Sequence, residues 1–211
     1  MAEIVQGTPV FGEQVRPCPL TSDHLDGSRR VSELILTVKH NRRDEMIIWW
    51  LSGCVVHERL LAQFEQQGFT GFRVRQATVR FRDGTMSREY RELIVTGWAG
   101  IARTESGVRV VESCSACHYK RYSGFTDVEQ LIDWEQWTGE DFFMVWPLPL
   151  FILVTERVAS WLLSHKVKSL TLAGLHDLDP GVVGFGFTVG RLSDFLPEDL
   201  ALRYGKPLGL E

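Results

Sequence analysis

The chain has 211 residues, of which 44% are hydrophobic and 24% charged, a composition that is ordinary for a globular protein and ample for a hydrophobic core. Its formal net charge of −4 argues against nucleic-acid binding by the chain as a whole. The longest uncharged apolar stretch, residues 142–154, is shorter than the roughly 20 residues that a transmembrane helix needs, and it contains Pro147 and Pro149, so we expect no membrane span.

The first predicted elements are a strand over residues 31–38 and a strand–helix–strand unit over residues 54–74. A short apolar run opens this unit, as in a buried strand. Glu58 then falls in the first turn of the predicted helix, where a carboxylate interacts favourably with the positive end of the helix dipole. Gly68 and Gly71 allow the helix to end.

A β-hairpin and two further strands are predicted next. Apolar and polar residues alternate over residues 77–82, which indicates a half-buried strand, and Asp83-Gly84 is a strong hairpin-turn signal. Residues 91–96 and 108–112 have the composition of strands and are bounded by glycines.

Residues 152–172 repeat the pattern of residues 54–74 at an offset of 98. Both segments show a buried strand, a Glu-Arg helix start, a helix of about ten residues, a turn and a second strand. The identical pairs are Val56 and Val154, Glu58 and Glu156, and Arg59 and Arg157. We therefore predict two diverged strand–helix–strand repeats, which divide the chain into halves at residues 1–105 and 106–211.

The last predicted elements are a strand interrupted by glycines over residues 182–189 and a short helix that Pro197 starts and that Gly205 and Pro207 close. Together these elements predict the α+β class, with a mixed or antiparallel sheet and few helices.

The four cysteines are expected to be thiols or metal ligands. Residues 1–10 contain no basic stretch followed by an apolar run, so we expect no targeting segment and a cytoplasmic chain, where disulfides are rare. The motif from Cys114 to Cys117, followed by His118, allows three interpretations: a c-type haem attachment site, a redox dithiol, or a zinc knuckle.

A zinc knuckle supplies two thiolates and needs two more ligands from elsewhere. Shifting Cys117 back by one repeat reaches the neighbour of Cys18, which suggests that the first half has kept Cys18 and lost a partner cysteine near Val15. The predicted zinc ligands are Cys18, Cys114 and Cys117, with His24 or His118 as the fourth. The alternative is that this incomplete set holds no metal.

Cys54 and His57 also have the spacing of metal ligands. However, Cys54 lies in an apolar run and aligns with Ile152 of the second repeat. We therefore predict that Cys54 is a small core residue.

Two sets of residues are candidates for binding a partner. Arginines cluster in and around the predicted hairpin, either as a basic face for an acidic partner or as the solvated face of an edge strand. They are Arg73, Arg75, Arg80, Arg82, Arg88 and Arg91. Residues 134–149 are rich in aromatics and are predicted to be mostly core, with Trp134 and Trp137 as candidate interface anchors.

No enzyme signature is present in the sequence. It lacks a phosphate-binding loop that ends in Lys-Ser or Lys-Thr, a His-Glu-x-x-His motif and a Gly-x-Ser-x-Gly nucleophile elbow. We therefore expect a protein that is not an enzyme.

Several short segments follow one another in a distinctive order. They are the Cys114 to Cys117 motif, Gly139-Glu140-Asp141-Phe142-Phe143, Val154-Thr155-Glu156-Arg157-Val158 and Leu196-Pro197-Glu198-Asp199. In this order they resemble the double-CXXCG motif proteins, a paralogous bacterial family that is expanded in myxobacteria. The resemblance covers roughly residues 110–211 and, more faintly, the first half. That family carries two Cys-x-x-Cys-Gly knuckles, whereas here the first is reduced to Cys18 and the second has His118 in place of Gly.

Members of that family are regarded as immunity proteins that protect a cell from a toxin delivered by its kin. The resemblance therefore implies a protein that neutralises a cognate toxin by protein–protein binding, with zinc as its only expected cofactor. The residues leave open an alternative, a zinc-ribbon-like module that binds nucleic acid through the arginine hairpin.

Overall fold

The computed structural model describes residues 18–21, 24, 33–49, 53–117, 119–149, 151–168, 170–177, 187–189 and 192–210. These residues form an α+β fold with mixed sheets, as predicted. None of the helices in these ranges is long and apolar enough to cross a membrane.

The described part of the chain contains eleven strands and three α-helices. The strands are β1 Leu34–Thr37, β2 Met46–Trp49, β3 Gly53–His57, β4 Phe72–Arg80, β5 Met86–Val95, β6 Gly97–Ile101, β7 Val110–Ser113, β8 Lys120–Tyr122, β9 Phe142–Trp146, β10 Leu153–Val154 and β11 Phe187–Val189. The helices are α1 Glu58–Gln66, α2 Glu156–Ser164 and α3 Glu198–Gly205.

The largest sheet has five strands in the order β1-β4-β5-β3-β2, and only the β1–β4 pair is parallel. The predicted hairpin joins β4 to β5. At its tip Gly84 has φ 85°, a left-handed conformation that glycine adopts without strain. Asp83 accepts hydrogen bonds from the Thr85 N–H at 2.9 Å and from the Thr85 hydroxyl at 2.6 Å, which fixes the turn.

The two faces of this sheet bury different sets of side chains because successive residues of a strand point to opposite faces. On one face Val55 joins a small core with Leu36 and Tyr90. On the other, Cys54 and Val56 lie in the main core, which also contains Leu60 and Phe64 of α1. Helix α1 therefore covers one side of the sheet.

The main core draws on both predicted halves of the chain. Phe64 of α1 lies 5.6 Å from Phe142 of β9 and 5.7 Å from Trp161 of α2, measured between ring centroids. Across the predicted boundary, β6 pairs in parallel with β9, and β10 completes a second sheet in the order β10-β9-β6. The division at residues 105 and 106 stays a prediction, but the two halves share their largest core.

The two predicted repeat helices have the same length and closely similar ends. Each follows a hairpin, with Met46 opposite Val56 before α1 and Phe142 opposite Val154 before α2. Three backbone hydrogen bonds close the end of α1: the N–H groups of Gln67, Gly68 and Phe69 donate to the carbonyls of Gln63, Glu65 and Phe64, respectively. The same three bonds recur 98 positions later at the end of α2. There the donors are His165, Lys166 and Val167, and the acceptors are Trp161, Leu163 and Leu162. Gly68 and Lys166 both adopt a left-handed conformation, with φ 64° and 52°. Both helices therefore end in the same left-handed capping motif; because that motif is common at helix ends, it is compatible with a duplication and gives it limited support.

The second strand of the second repeat is not formed. At the repeat offset of 98, residues 170–177 correspond to residues 72–79 of β4, but they contain no strand. Strand β4 pairs with β1 on one side and with β5 on the other. In the second repeat, β10 is an edge strand in the described part of its sheet, so no such pair of neighbours is present there. Leu170 and Leu172 instead pack against the main core as single side chains.

Most other predicted elements are present with small shifts of their bounds. The strands predicted over residues 31–38 and 108–112 are β1 and β7. Helix α3 follows Pro197 as predicted. Of the strand predicted over residues 182–189, the part that lies within the described residues is β11, which pairs with β8 in a third sheet of order β11-β8-β7.

Candidate metal centre

The Cys-x-x-Cys motif forms the turn of an antiparallel hairpin. Strands β7 and β8 pair with Ser113 opposite Lys120, and the turn runs between them. The Cys114 N–H donates to the Tyr119 carbonyl at 2.9 Å, which closes the turn. Cys114 and Cys117 are both buried and lie on this turn.

Cys18 and His24 complete a cluster with these two cysteines. The ligand atoms of Cys18, His24, Cys114 and Cys117 all lie within 4.8 Å of one another. The sulfurs of Cys18 and Cys114 are 3.8 Å apart, and the Cys117 sulfur lies 3.6 Å from His24 Nδ1.

The Cys18–Cys114 and Cys117–His24 separations, 3.8 and 3.6 Å, match the edges of a zinc tetrahedron, whereas the outer limit of 4.8 Å for the whole set is longer than such an edge. With zinc–sulfur bonds near 2.3 Å and zinc–nitrogen bonds near 2.05 Å, tetrahedral angles place two sulfurs about 3.8 Å apart and a sulfur and a nitrogen about 3.5 Å apart. The predicted ligands Cys18, Cys114 and Cys117 are therefore brought together, and of the two predicted candidates for a fourth ligand His24 lies with them. His118, the other candidate, lies outside the described residues.

Backbone N–H groups point at two of the sulfurs in the same way. Cys114 Sγ accepts from the N–H groups of Cys117 and Ala116, and these bonds lower the pKa of Cys114 to about 6. Cys18 Sγ accepts from the N–H of Leu20 at 3.5 Å and from that of Thr21, and the pKa of Cys18 is lowered for the same reason. Hydrogen bonds to a thiolate favour the deprotonated form, which is the form that binds metal.

This pattern suggests a different position for Cys18 within its knuckle from the one that the alignment predicts. Sequence alignment placed Cys18 as the second cysteine of a pair whose first member was lost near Val15, a residue outside the described ranges. The hydrogen bonds place Cys18 as the first cysteine, because its sulfur accepts from the residues two and three positions later, as Cys114 does. Thr21 stands where the second cysteine of this turn would be.

His24 is oriented by two neighbours, Glu112 and Tyr119. Its Nε2 lies 3.3 Å from Glu112 Oε1, its ring stacks on Tyr119 with centroids 4.1 Å apart, and Glu112 in turn accepts from Arg121 at 3.1 Å. A carboxylate on the far nitrogen of a ligating histidine fixes the ring and raises its basicity. The pKa of Glu112 is lowered, first by Arg121 and then by His24.

Without a metal, the remaining ligands favour their protonated forms. Burial raises the pKa of Cys117 to about 11, and the hydrogen bond with Cys18 is the largest of the causes that raise the pKa of His24. A bound cation would displace these protons, so metal binding and protonation compete at this cluster.

Cys54 is a core residue, as predicted. It is fully buried on β3, and burial raises the pKa of its thiol well above the usual range. His57 lies next to α1 and caps it, since its Nδ1 accepts the Arg59 N–H at 3.2 Å. Neither residue belongs to the metal cluster.

Comparison with known proteins adds no family to this description: no family's sequence model matches the chain, and no curated protein is significantly similar to it.

Most of the hairpin arginines are neutralised by acids that sequence proximity did not reveal. Arg73 donates to both carboxylate oxygens of Asp199 at 2.9 and 2.8 Å, and Arg75 donates to Glu92 at 3.1 Å. The other pairs are Arg88 with Glu33 and Arg91 with Glu58. These partners are distant in sequence or on another element: Glu33 directly precedes β1, Glu58 begins α1, Asp199 lies on α3 and Glu92 lies on the neighbouring strand β5.

Arg80 and Arg82 differ from the other arginines of the hairpin. They are exposed and form no side-chain ion pair among the described residues. They share one end of the sheet with a loop that the sequence interpretation passed over: the Arg82 N–H donates to the His40 carbonyl, and Arg43 lies 4.7 Å from the Phe81 ring centroid. Lys39, Arg42 and Arg43 make this a basic loop, although Arg42 pairs with Asp44 at 2.7 Å.

Trp134 and Trp137 are adjacent on the surface. Trp134 is 57% exposed, whereas Trp137 is half-buried. Their ring centroids lie 5.7 Å apart in an edge-to-face arrangement, and that of Trp137 lies 5.6 Å from buried Phe143. The structure thus places Trp134 at the outer end of an aromatic cluster that reaches into the core.

Proposed function

We propose that the chain holds one structural zinc ion through Cys18, His24, Cys114 and Cys117, and that it acts by binding a protein partner without chemistry of its own. The observation that carries the zinc assignment is the convergence of four donor atoms from two segments more than 90 residues apart in sequence. A haem or dithiol function would use Cys114 and Cys117 and would give no reason for Cys18 and His24 to meet them.

The donor set supports a structural rather than a catalytic role for zinc. Three thiolates and one imidazole fill all four positions of a tetrahedron, whereas catalytic sites keep one position for water. The three cysteines are also buried, which excludes most solvent from the ion. Zinc would therefore join the segment around Cys18 to the β7–β8 hairpin. In small zinc-binding peptides such a site contributes on the order of 10 kcal/mol to folding.

Metal analysis tests this assignment directly. The full chain purified without chelator should contain about one zinc per molecule, as a closed four-ligand site requires. Cys114→Ala and Cys18→Ala should each lose most of the bound zinc. Cys54→Ala is the matched control, because it removes a buried cysteine outside the cluster and should keep its zinc. Zinc that is absent from the parent, or retained in full by both cluster variants, would overturn the assignment.

For the partner, we propose a cognate bacterial toxin that the chain neutralises by stoichiometric contact. Support comes from the resemblance over residues 110–211 and from the exposed Trp134, since interface anchors are often aromatic. The test is co-expression: a toxin encoded beside this gene should stop growth alone and lose its toxicity when the chain is present. A neighbouring toxin that the chain neither binds nor neutralises would contradict the proposal.

The basic loop and the exposed Arg80 and Arg82 favour a second candidate, nucleic-acid binding at that end of the sheet. Against it, Arg73 and Arg75 are already paired with carboxylates. Salt-dependent binding to RNA or DNA that Arg80→Glu abolishes would favour this candidate. If Arg73→Glu binds RNA or DNA as the parent does, the nucleic-acid site lies away from the arginines that are paired with carboxylates.

A further inference from the structure

The exposed aromatic cluster lies in an unusually acidic stretch of the chain. Residues 127–140 contain no Lys, Arg or His. Their carboxylates are Asp127, Glu129, Asp133, Glu135 and Glu140, and none of these forms an ion pair among the described residues. Arg203 of α3 borders the stretch, since it and Glu140 both lie close to Tyr204. We call Trp134, Trp137 and these carboxylates the acidic aromatic surface.

The backbone that displays Trp134 is firmly held. Leu131 and Ile132, just before it, are buried in the main core. Just after it, the N–H of Glu135 and the side chain of Gln136 both donate to the Asp133 carboxylate, at 3.2 and 2.7 Å. An aromatic side chain on a preordered turn loses little conformational entropy when a partner covers it.

Trp134 also has an indole N–H and an exposed ring surface with which a partner could interact. Its indole N–H has no hydrogen-bond partner among the described residues, and more than half of the side chain is in contact with solvent. Exposed Leu163 on α2 shows that a large apolar side chain can be exposed without such surroundings. Trp134 differs because carboxylates flank it on both sides in sequence, at Asp133 and Glu135.

We propose that the acidic aromatic surface is the docking face for the partner, and that the partner presents a cationic protein surface rich in Arg and Lys. This inference rests on the proposed protein-binding function. A guanidinium or ammonium group would stack on the Trp134 ring, where a cation is attracted to the face of the indole, while its neighbours meet the surrounding carboxylates. Unpaired carboxylates steer such a partner toward the surface and raise the association rate.

The experiment compares three full-length proteins as bait in a lysate of the source organism: the parent, Trp134→Ala and Leu163→Ala. Leu163→Ala removes a large exposed apolar side chain from helix α2, outside the acidic stretch. Circular dichroism and melting temperature establish that both variants fold as the parent does. We expect one protein with a strongly positive net charge to bind the parent and Leu163→Ala but not Trp134→Ala.

Affinity measurements with that purified protein then test the chemistry. Trp134→Ala should weaken binding at least about 30-fold, as for an interface hot spot. Glu135→Gln should mainly slow association, and added salt should slow it for the parent.

Each other outcome has a distinct meaning. A protein that binds all three baits equally would refute the docking face and leave the proposed function standing. A captured protein of negative net charge, or a second copy of the chain, would refute the cationic partner. If the parent captures no protein and its neighbouring toxin is not neutralised, the proposed function itself fails.

Discussion

Glu112→Ala is a sharp test of the metal centre, because Glu112 contacts His24 but is not itself a ligand. In the structure its Oε1 lies 3.3 Å from His24 Nε2, opposite the nitrogen that faces the cysteines. Removing such an orienting carboxylate typically weakens metal affinity 10- to 100-fold. We therefore expect the zinc dissociation constant of Glu112→Ala to rise by that factor, as measured by competition with a coloured chelator.

The same change has a predicted effect on stability. With zinc in excess over both dissociation constants, each tenfold loss of affinity removes about 1.4 kcal/mol of the zinc-dependent stabilisation. This lowers the melting temperature by about 3–6 °C for a chain of this size. In a chelator the two proteins should melt together. Glu105→Ala is the control, since Glu105 is an exposed carboxylate that pairs with Arg103 away from the cluster. An unchanged zinc affinity, or an equal loss of stability with and without zinc, would refute the assigned role of Glu112.

Three further predictions concern the fold outside the cysteine–histidine cluster. Asp141 is buried and accepts hydrogen bonds from Thr70, Thr155 and Arg157, so Asp141→Ala should lower the free energy of unfolding by about 3 kcal/mol or more in urea titrations, whereas Asp199→Ala should change it little. Cys54 should resist thiol reagents in the folded protein even in a chelator and react only on unfolding, and its early reaction would contradict the core assignment. Arg73 lowers the pKa of Asp199, so this pair stabilises the fold at pH values above the ordinary Asp pKa. The stabilisation is lost as the pH falls through the lowered pKa. Carbon-detected NMR should find that the pKa of Asp199 is higher in Arg73→Ala than in the parent.

The sequence was most informative where neighbouring residues decide the structure. The Asp83-Gly84 turn, the Glu-Arg starts of α1 and α2, and the Pro197 boundary of α3 were all predicted, because turn and cap preferences act over three or four residues. The predicted duplication also gained limited support, since the capping bonds after α1 recur 98 residues later. Its second strand after α2 was wrong, because strand formation needs a neighbouring strand that the local pattern does not specify.

Thr155 shows the same limit on a smaller scale. Thr155 directly precedes α2, where a threonine hydroxyl commonly caps a helix, and its backbone does adopt the extended cap conformation. The hydroxyl instead donates to Asp141, whose buried carboxylate offers a stronger, charged acceptor.

At the candidate metal centre, too, the sequence predicted some of the residues and only the tertiary structure revealed the others. The sequence by itself nominated Cys114 and Cys117 from the Cys-x-x-Cys spacing and assigned Cys54 to the core from its apolar run, both of which are local features. It nominated Cys18 only through the repeat offset of 98 residues. Only the tertiary structure brought His24 to the three cysteines and placed Glu112 behind it, and only it paired Arg73 with Asp199. Each of these contacts joins residues 88 to 126 positions apart, so it is decided by how the sheets order and pack the distant segments, which no local spacing encodes.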